Sequence, residues 1–348
     1  MINIGVIGYG YWGANLLRNF AESLATRPHV VVDPDPARLE IAQRRYQGVK
    51  TATDIHDVLD DPTLDAVAIA TPVSTHFDLA LTALRAGKHV WLEKPMTETS
   101  AQARQLIEEA EKRNLTLLVD HTFIYTGAIR KMREIVASGD LGDIFYYDST
   151  RINLGLFQRD VNVICDLAVH DFSILDFLLE EHPVAVTASG TTHFSGVPEN
   201  LAYVTLFYNS GKIAHVNVNW LAPVKVRQIL LGGSKKMIVY DDMAASEKIK
   251  VYDSGVKFTT SPQEIYQLLV GYRTGDMWAP KIDTTEALRI ASEHFAKCIE
   301  TGAAPITDGR LGLRVVEVIE AATTSMHGRG ETVQIECRGM KSWSPLSI

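Results

Sequence analysis

A glycine-rich turn near the start of the chain constrains its fold more than any other feature. Gly8, Gly10 and Gly13 have the G-x-G-x-x-G spacing, directly after the apolar segment Ile2–Ile7 and before a helical pattern. In such a turn the first glycine permits the bend, the second lets the backbone approach a pyrophosphate, and the third allows close helix packing. A second apolar segment ends in Asp33, where an acidic residue binds the adenosine ribose. Together these features predict a dinucleotide-binding domain.

The acidic residue also predicts which dinucleotide is bound. A carboxylate at Asp33 accepts hydrogen bonds from the ribose hydroxyls and repels a 2′-phosphate. The next residues are Pro34, Asp35 and Pro36, and the nearest arginine, Arg38, is expected to face solvent from a helix start. NAD is therefore favoured over NADP.

Hydrophobic patterning divides the chain in two. The first 120 residues alternate short apolar runs with amphipathic helices, which is typical of a parallel sheet covered on both faces. Later segments are longer and alternate apolar with polar residues, which indicates an α+β domain with an open, mostly antiparallel sheet. We predict a Rossmann domain over residues 1–120 and a substrate-binding and oligomerisation domain over 121–348. The two closing helices, Glu286–Thr301 and Leu311–Met326, can pack back on the first domain.

Composition narrows the functional class. The net charge of −8 argues against a nucleic-acid-binding surface. No apolar stretch approaches the ~18 residues of a membrane helix, and no leader-like segment precedes the first strand. The cysteines Cys165, Cys298 and Cys337 lie far apart, which suggests neither a disulfide framework nor a metal site. We therefore expect a cytoplasmic protein that has no metal and contacts neither membrane nor nucleic acid.

Two strand ends and one helix carry the candidate chemistry. The strings AIATPVSTH and VWLEKP end strands of the parallel sheet, where open sheets bind ligands, and the Lys94-Pro95 step directs Lys94 into that crevice. On a helix, Asn162, Asp166, His170 and Ser173 form one polar stripe in an otherwise apolar segment. A buried Asp-His pair must be partnered or line a cavity. Structural and catalytic roles are both open, and the lysine favours catalysis.

The GYGYWG turn, the EKP of residues 93–95 and the D-x-x-x-H of Asp166 and His170 together resemble the glucose–fructose oxidoreductase/inositol dehydrogenase/rhizopine-catabolism (Gfo/Idh/MocA) family. The resemblance implies that His170 is the general base, that Asp166 binds substrate beside it, and that Lys94 hydrogen-bonds the reacting oxygen. Whether Lys94 or His170 accepts the proton stays open. The implied NAD contacts are Gly8, Gly10, Tyr11, Trp12, Gly13, Asp33, Thr71, Pro72, His76, Glu93 and Lys94.

Longer strings suggest a substrate. GYGYWGANLLRNF and HFAKCIETGAAPITDGRLGLRVVEVIEAA look similar to the branch that oxidises nucleotide-linked sugars. This implies oxidation of the 3-hydroxyl of UDP-N-acetylglucosamine to a ketone, in amino-sugar, lipid A or polysaccharide biosynthesis, with a possible downstream aminotransferase. The alternatives are an inositol or free-sugar dehydrogenase and an NAD-binding regulatory protein; retention of Lys94, Asp166 and His170 argues against the regulator. The chain departs from the family pattern at Val163-Ile164-Cys165 and at Ser173. Because of these departures, the resemblance says less about which sugar is the substrate.

The remaining expectations concern substrate and subunit contacts. A polar stretch leads into the Asp-His helix, and its Arg151 is the best-placed group for a diphosphate. The expected substrate-binding residues are Lys94, Arg151, Asn153, Gln158, Asn162, Asp166 and His170. Since an open sheet leaves one face to be covered, we also expect a homodimer or tetramer joined through the second-domain sheet.

Overall fold

A computed structural model of the chain describes residues 1–155, 160–253, 255–257, 271–273 and 275–335. The chain divides into two compact units. The described part of the first unit comprises Met1–Thr126 and Thr285–Glu320, and the second begins with Gly127–Thr284 and resumes at Ala321. The first unit therefore contains a C-terminal segment as well as the N-terminal residues.

The first unit is built on a six-stranded parallel sheet. The strand order is β3-β2-β1-β4-β5-β6, which is the order of a doubly wound dinucleotide-binding fold. This confirms the predicted Rossmann domain, and it adds one short strand, β3, that the apolar pattern did not show. The strands are β1 Ile2–Ile7, β2 Thr26–Val32, β3 Lys50–Ala52, β4 Ala66–Ile69, β5 His89–Leu92 and β6 Leu117–Val119.

Helices cover this sheet, and capping side chains define where two of them begin. Asp35 caps α2 by accepting a hydrogen bond from the Ala37 amide. Thr99 and Gln102 form a reciprocal capping box at the start of α5. The helices of this unit are α1 Tyr11–Glu22, α2 Pro36–Arg45, α3 His56–Leu59, α4 Val73–Arg85, α5 Ser100–Arg113 and α8 Ala287–Thr301, with a 3₁₀ turn at Thr122–Tyr125; a further helix, α9 Gly309–His327, begins here.

An aromatic cluster packs helix α8 against the sheet of the first unit. Trp91 of β5 packs edge-to-face against Phe20 of α1 and against Phe295 of α8, with ring centroids 5.5 and 5.6 Å apart. All three side chains are fully buried. At the rim, Arg18 of α1 forms an ion pair with Glu286, just before α8. Helix α8 thus completes the core of the first unit.

The second unit contains a nine-stranded sheet of order β16-β13-β12-β11-β7-β10-β9-β8-β17. Among the described strands of this sheet, only β10 and β7 pair in parallel, so the open, mostly antiparallel sheet is confirmed. The hydrophobic pattern predicts a strand at Gln228–Leu231, and in the structure this segment is part of the longer strand Leu221–Gly233. The edge strands were not predicted. The strands are β7 Ile144–Leu154, β8 Ala185–Thr191, β9 Leu201–Phe207, β10 Ile213–Asn219, β11 Leu221–Gly233, β12 Met237–Asp241, β13 Ile249–Tyr252, β16 Met277–Trp278 and β17 Val333–Gln334; β14 Gly255–Lys257 and β15 Gly271–Arg273 form a separate pair.

One face of this sheet is buried and the other is open. Along β10, Ala214, Val216 and Val218 are fully buried, whereas His215 and Asn217 between them are partly exposed. This is the predicted two-residue alternation. Helices α6 (Gly127–Ala137) and α7 (Val169–Leu178) also belong to the second unit. Among the described residues, no helix is long and apolar enough to cross a membrane.

Candidate functional site

The glycine turn of the first unit has the geometry that phosphate binding requires. Gly8 has φ of +88°, and a Cβ there would lie 2.6 Å from the Ala70 carbonyl oxygen. A Cβ at Gly13 would lie 1.8 Å from the Gly8 carbonyl oxygen, so α1 can pack this closely only with glycine. Gly10 has open space around it and precedes the first turn of α1, which no side chain caps. The backbone N–H groups of this turn are therefore available to an anion.

Asp33 lies against the same turn. Its carboxylate accepts hydrogen bonds from the Tyr9 amide (2.7 Å) and the Asp35 amide (2.9 Å), and its side chain is 1% exposed. Arg38 also donates to it, at 3.3 Å. The expectation that Arg38 faces only solvent was therefore incomplete: its side chain is half exposed, but its guanidinium partly neutralises the charge of Asp33.

A cavity of ≈ 510 Å³ opens beside these groups. This volume lies within the usual range of ligand pockets. Five predicted cofactor residues line it: Gly8, Gly10, Asp33, Thr71 and Pro72. The remaining lining residues are Ile7, Val32, Pro34, Arg38, Thr53, Asp54, Ile55, Ala70, Thr75 and Leu79. A carboxylate for ribose hydroxyls and an open helix N-terminus for phosphates fit NAD.

Other predicted cofactor residues lie elsewhere. Tyr11 and Trp12 are in the first turn of α1 and are exposed, but they do not line this cavity. His76 is buried: its Nδ1 lies 3.0 Å from the Pro95 carbonyl oxygen, and its Nε2 lies 2.9 Å from the Thr71 carbonyl oxygen. Burial lowers the pKa of His76. His76 therefore connects the turn after β4 to the loop after β5. Its contact with NAD stays a prediction.

The EKP residues follow β5 directly. The Lys94–Pro95 peptide bond is cis, and Lys94 is half-buried between two buried neighbours. Glu93 is buried, does not line the cavity, and contacts Asp120 at the end of β6. Its contact with NAD stays a prediction, and Asp120 is a buried acid that sequence reasoning missed.

The Asp-His segment in the second unit differs from the predicted continuous α-helix. Residues Ile164–Ala168 form a π-helix, and α7 begins only at Val169. Of the predicted stripe, Asp166 and His170 are half-buried, whereas Asn162 and Ser173 are buried. π-turns inside helices are frequent at functional sites because they shift side chains out of the regular spacing.

Hydrogen bonds hold three polar side chains of this segment in place. Trp220, fully buried after β10, donates its indole N–H to the Asp166 carboxylate at 3.0 Å. Asn162 accepts a hydrogen bond from the Cys165 amide, so it stabilises the segment's first turn. Its contact with the substrate stays a prediction. Ser173 donates to the His170 carbonyl oxygen. The π-helix and the first turn of α7 thus present the Asp166 carboxylate and the His170 imidazole, and the Trp220 indole fixes the orientation of the carboxylate.

The expectation for Arg151 was wrong. Its side chain is 3% exposed and donates from Nε to Asp171 at 2.7 Å. Tyr147 donates to the other oxygen of Asp171, and burial, followed by the Asp171 charge, raises the pKa of Tyr147. A buried, paired guanidinium cannot bind a diphosphate. Asn153 is half-buried on β7, and the predicted Gln158 lies outside the described residues.

The described residues contain no group of three or more histidine, cysteine or acidic side chains that could hold a metal ion. The candidate chemical groups described above are the dinucleotide cavity in one unit and Asp166 and His170 in the other.

Two family profiles match the chain. The profile "Oxidoreductase family, NAD-binding Rossmann fold" matches residues 2–121, and the "GFO/IDH/MocA C-terminal domain" matches residues 129–239. The scyllo-inositol 2-dehydrogenase (NAD(+)) of Bacillus subtilis is 25% identical over 352 residues, which cover 97% of each chain.

Solved structures share the fold. A UDP-N-acetylglucosamine 3-dehydrogenase from Acidithiobacillus ferrooxidans has a TM-score of 0.78 and 24% identity, covering 93% of this chain and 99% of that one. GenD2 from gentamicin A biosynthesis, determined in complex with NAD, has a TM-score of 0.81 and 21% identity, covering 97% of both chains.

Proposed function

The chain belongs to the Gfo/Idh/MocA family of NAD-dependent oxidoreductases, which act on sugars and polyols, and from this premise we propose that it oxidises a secondary ring hydroxyl to a ketone through Lys94, Asp166 and His170. The observation that carries the proposal is the π-helix. The π-helix carries the half-buried Asp166, which accepts a hydrogen bond from Trp220, and the first turn of α7 carries the half-buried His170, both within an otherwise apolar segment.

The proposed roles follow from side-chain chemistry. His170 accepts the hydroxyl proton, which a neutral imidazole can do near neutral pH. Asp166 accepts a hydrogen bond from the substrate while Trp220 fixes its orientation. Lys94 donates a hydrogen bond to the reacting oxygen. When bound, NAD supplies the acceptor for the hydride that leaves the carbinol carbon. The glycine turn and Asp33 hold that cofactor.

For the substrate we propose a nucleotide-linked sugar, UDP-N-acetylglucosamine, oxidised at its 3-hydroxyl. The support is the resemblance of the segments 8–20 and 294–322 to that branch, together with one solved structure of similar fold. The product would be a 3-keto sugar, which an aminotransferase could consume. Arg151 no longer supports a diphosphate site, so the nucleotide contacts of this proposal must come from other residues.

An inositol is the second candidate. It is favoured by the B. subtilis relative, whose similarity extends along the whole of both chains. Inositols present secondary ring hydroxyls without any phosphate, and so need no cationic subsite.

A screen of NADH formation separates these substrates. Purified protein with NAD is offered UDP-N-acetylglucosamine, UDP-glucose, scyllo-inositol, myo-inositol and glucose, with NADP in parallel. We expect NADH from the nucleotide sugar, and more when an aminotransferase and amino donor remove the ketone. NADH only from inositols would replace the nucleotide sugar by the second candidate. NAD binding without NADH from any compound would favour a regulatory protein and contradict the proposed function.

A further inference from the structure

Two neighbouring strand ends bring two acidic side chains together inside the first unit. Strands β5 and β6 pair in parallel with Leu92 opposite Val119, so Glu93 and Asp120 follow at the same level. The Asp120 amide donates to the Leu92 carbonyl oxygen at 2.7 Å, which fixes this register beyond the strands. Glu93 is 7% exposed and Asp120 is 1% exposed. Two carboxyl groups are therefore buried side by side.

These carboxyl groups lie within interaction distance of each other. Thr122 donates to Asp120 Oδ1 at 2.7 Å, but Glu93 Oε1 and Asp120 Oδ2 are buried without a donor from the described residues. An ionised carboxylate can only accept hydrogen bonds. Two of them in contact can bond only if one carries a proton, and two adjacent buried charges of the same sign are strongly disfavoured.

Among the described residues near the two carboxyl groups, Lys94 carries the opposite charge. Lys94, the next residue in the chain, acts electrostatically on Glu93, on Asp120 and on the buried His76 of α4. The other polar groups nearby are the Trp91 indole on β5, the fully buried His121, and Tyr125, whose hydroxyl contacts Thr307. Burial, and then the neighbouring carboxyl, raises the pKa of Glu93; burial also raises that of Asp120. With one proton the pair carries a single negative charge, which matches Lys94.

We propose that Glu93 and Asp120 hold one proton between them in the folded protein, and that this pair is a positioning element that fixes the orientation and charge of Lys94. The role for Lys94 rests on the proposed function. The shared proton does not, because it follows from burial and contact within one unit.

Infrared spectroscopy of the protein without cofactor tests the shared proton directly. In heavy water near neutral pH, the wild-type protein should show the carbonyl band of one protonated carboxylic acid. Glu93→Gln and Asp120→Asn should each lack it, because the new amide donates to the remaining carboxylate. Glu108→Gln, which changes an exposed carboxyl on α5, is the matched control and should keep the band. A wild-type spectrum without this band would overturn the proposal.

Thermal unfolding as a function of pH provides the second readout. The folded pair keeps a proton that the unfolded chain releases, so stability should fall as pH rises above the ordinary carboxyl range. Between pH 5 and pH 8 the unfolding temperature of the wild type should fall by roughly 3–6 °C more than that of Glu93→Gln or Asp120→Asn. Glu108→Gln should follow the wild type. Equal pH dependence in all four proteins would contradict a shared proton.

Turnover tests the link to Lys94. Glu93→Gln and Asp120→Asn each retain one negative charge beside Lys94, whereas the double variant retains none. With scyllo-inositol or UDP-N-acetylglucosamine, the double variant should shift the pH profile of kcat and lower kcat about tenfold, with little change in KM, and each single variant should change kcat less than the double variant does. A double variant with an unchanged profile would refute the positioning role. If the wild type oxidised neither compound, the proposed function would fail, and the infrared band would still decide the shared proton.

Discussion

At the scale of single residues, Asp33 has two tasks. It accepts backbone hydrogen bonds from Tyr9 and Asp35, which shape the turn around the cavity, and it presents the charge that favours ribose hydroxyls over a phosphate. Arg38, which donates a hydrogen bond to Asp33, weakens this preference for hydroxyls, because a guanidinium at the same site can bind a 2′-phosphate.

Replacement of Asp33 by asparagine tests both tasks together. The amide keeps the size of the side chain but removes its charge, and its nitrogen cannot accept one of the two backbone hydrogen bonds from Tyr9 and Asp35. Hydrogen bonds to a charged acceptor contribute ~1.5–3 kcal/mol each. We expect the Kd for NAD to rise roughly tenfold or more and the preference over NADP to shrink, as measured by fluorescence titration. Asp35→Asn, which changes a helix cap outside the cavity lining, is the control and should bind NAD normally. A wild-type protein that prefers NADP would refute the role given to Asp33.

His170 and Lys94 are the residues on which the proposed chemistry depends. We predict that His170→Ala and Lys94→Ala each lower kcat by a factor of ~10² or more. NAD binding should be largely kept in His170→Ala. The matched control is His327→Ala, which removes an exposed histidine at the end of α9 and should leave kcat unchanged. Near-normal turnover of His170→Ala would make the Asp-His segment a structural feature.

At the scale of elements, a buried ion pair fixes α7 to the sheet. Arg151 points inward from β7 and Asp171 points from α7, beside His170 in the chain. Removing one member of a buried pair leaves an uncompensated charge and costs about 3–5 kcal/mol. This pair therefore positions the helix that carries His170.

The corresponding variant distinguishes this role from phosphate binding. Arg151→Ala should lower the unfolding temperature by roughly 6–20 °C. Arg44→Ala, which removes an exposed pair with Glu40, should change it little. An Arg151→Ala protein of unchanged stability with a raised KM for UDP-N-acetylglucosamine would restore the phosphate role predicted from the sequence.

Sequence patterns were sufficient where one local rule determined the result. The glycine spacing and Asp33 predicted the cofactor site, and the two-residue alternation predicted the open sheet. The π-helix was missed because an all-round apolar segment has no periodicity that separates π from α. Arg151 was misread because the inward face of β7 is set by pairing with β10 and β11, which are distant in the chain. Asp120 was missed for a related reason: its partner Glu93 is brought near only by the β5–β6 register.

At the scale of the whole molecule, the outer face of the nine-stranded sheet remains the proposed contact between subunits. Tyr146 and Ile213 lie opposite each other in register, and Tyr203 stacks on His215. All three apolar residues are more than a third exposed. An apolar face of this kind on an open sheet is typical of a surface covered by another chain.

Light scattering tests this proposal. The wild type should have the mass of a dimer or tetramer, and Ile213→Glu should shift it towards the monomer of 38.5 kDa, because a charge would be buried in the interface. Lys112→Glu, at an exposed position on α5 of the first unit, serves as the control for added negative charge. A wild-type monomer at micromolar concentration would contradict the proposed interface.

The central claim, that this chain removes a hydride from a ring carbon and delivers it to NAD, can be measured directly. The protein is incubated with NAD and either UDP-N-acetylglucosamine deuterated at carbon 3 or ring-deuterated scyllo-inositol, and the cofactor is then examined by mass spectrometry. Our account predicts deuterated NADH from one of these substrates with the wild type, and ~10²-fold less with His170→Ala. Unlabelled cofactor with both substrates, or equal labelling by the wild type and His170→Ala, would contradict it.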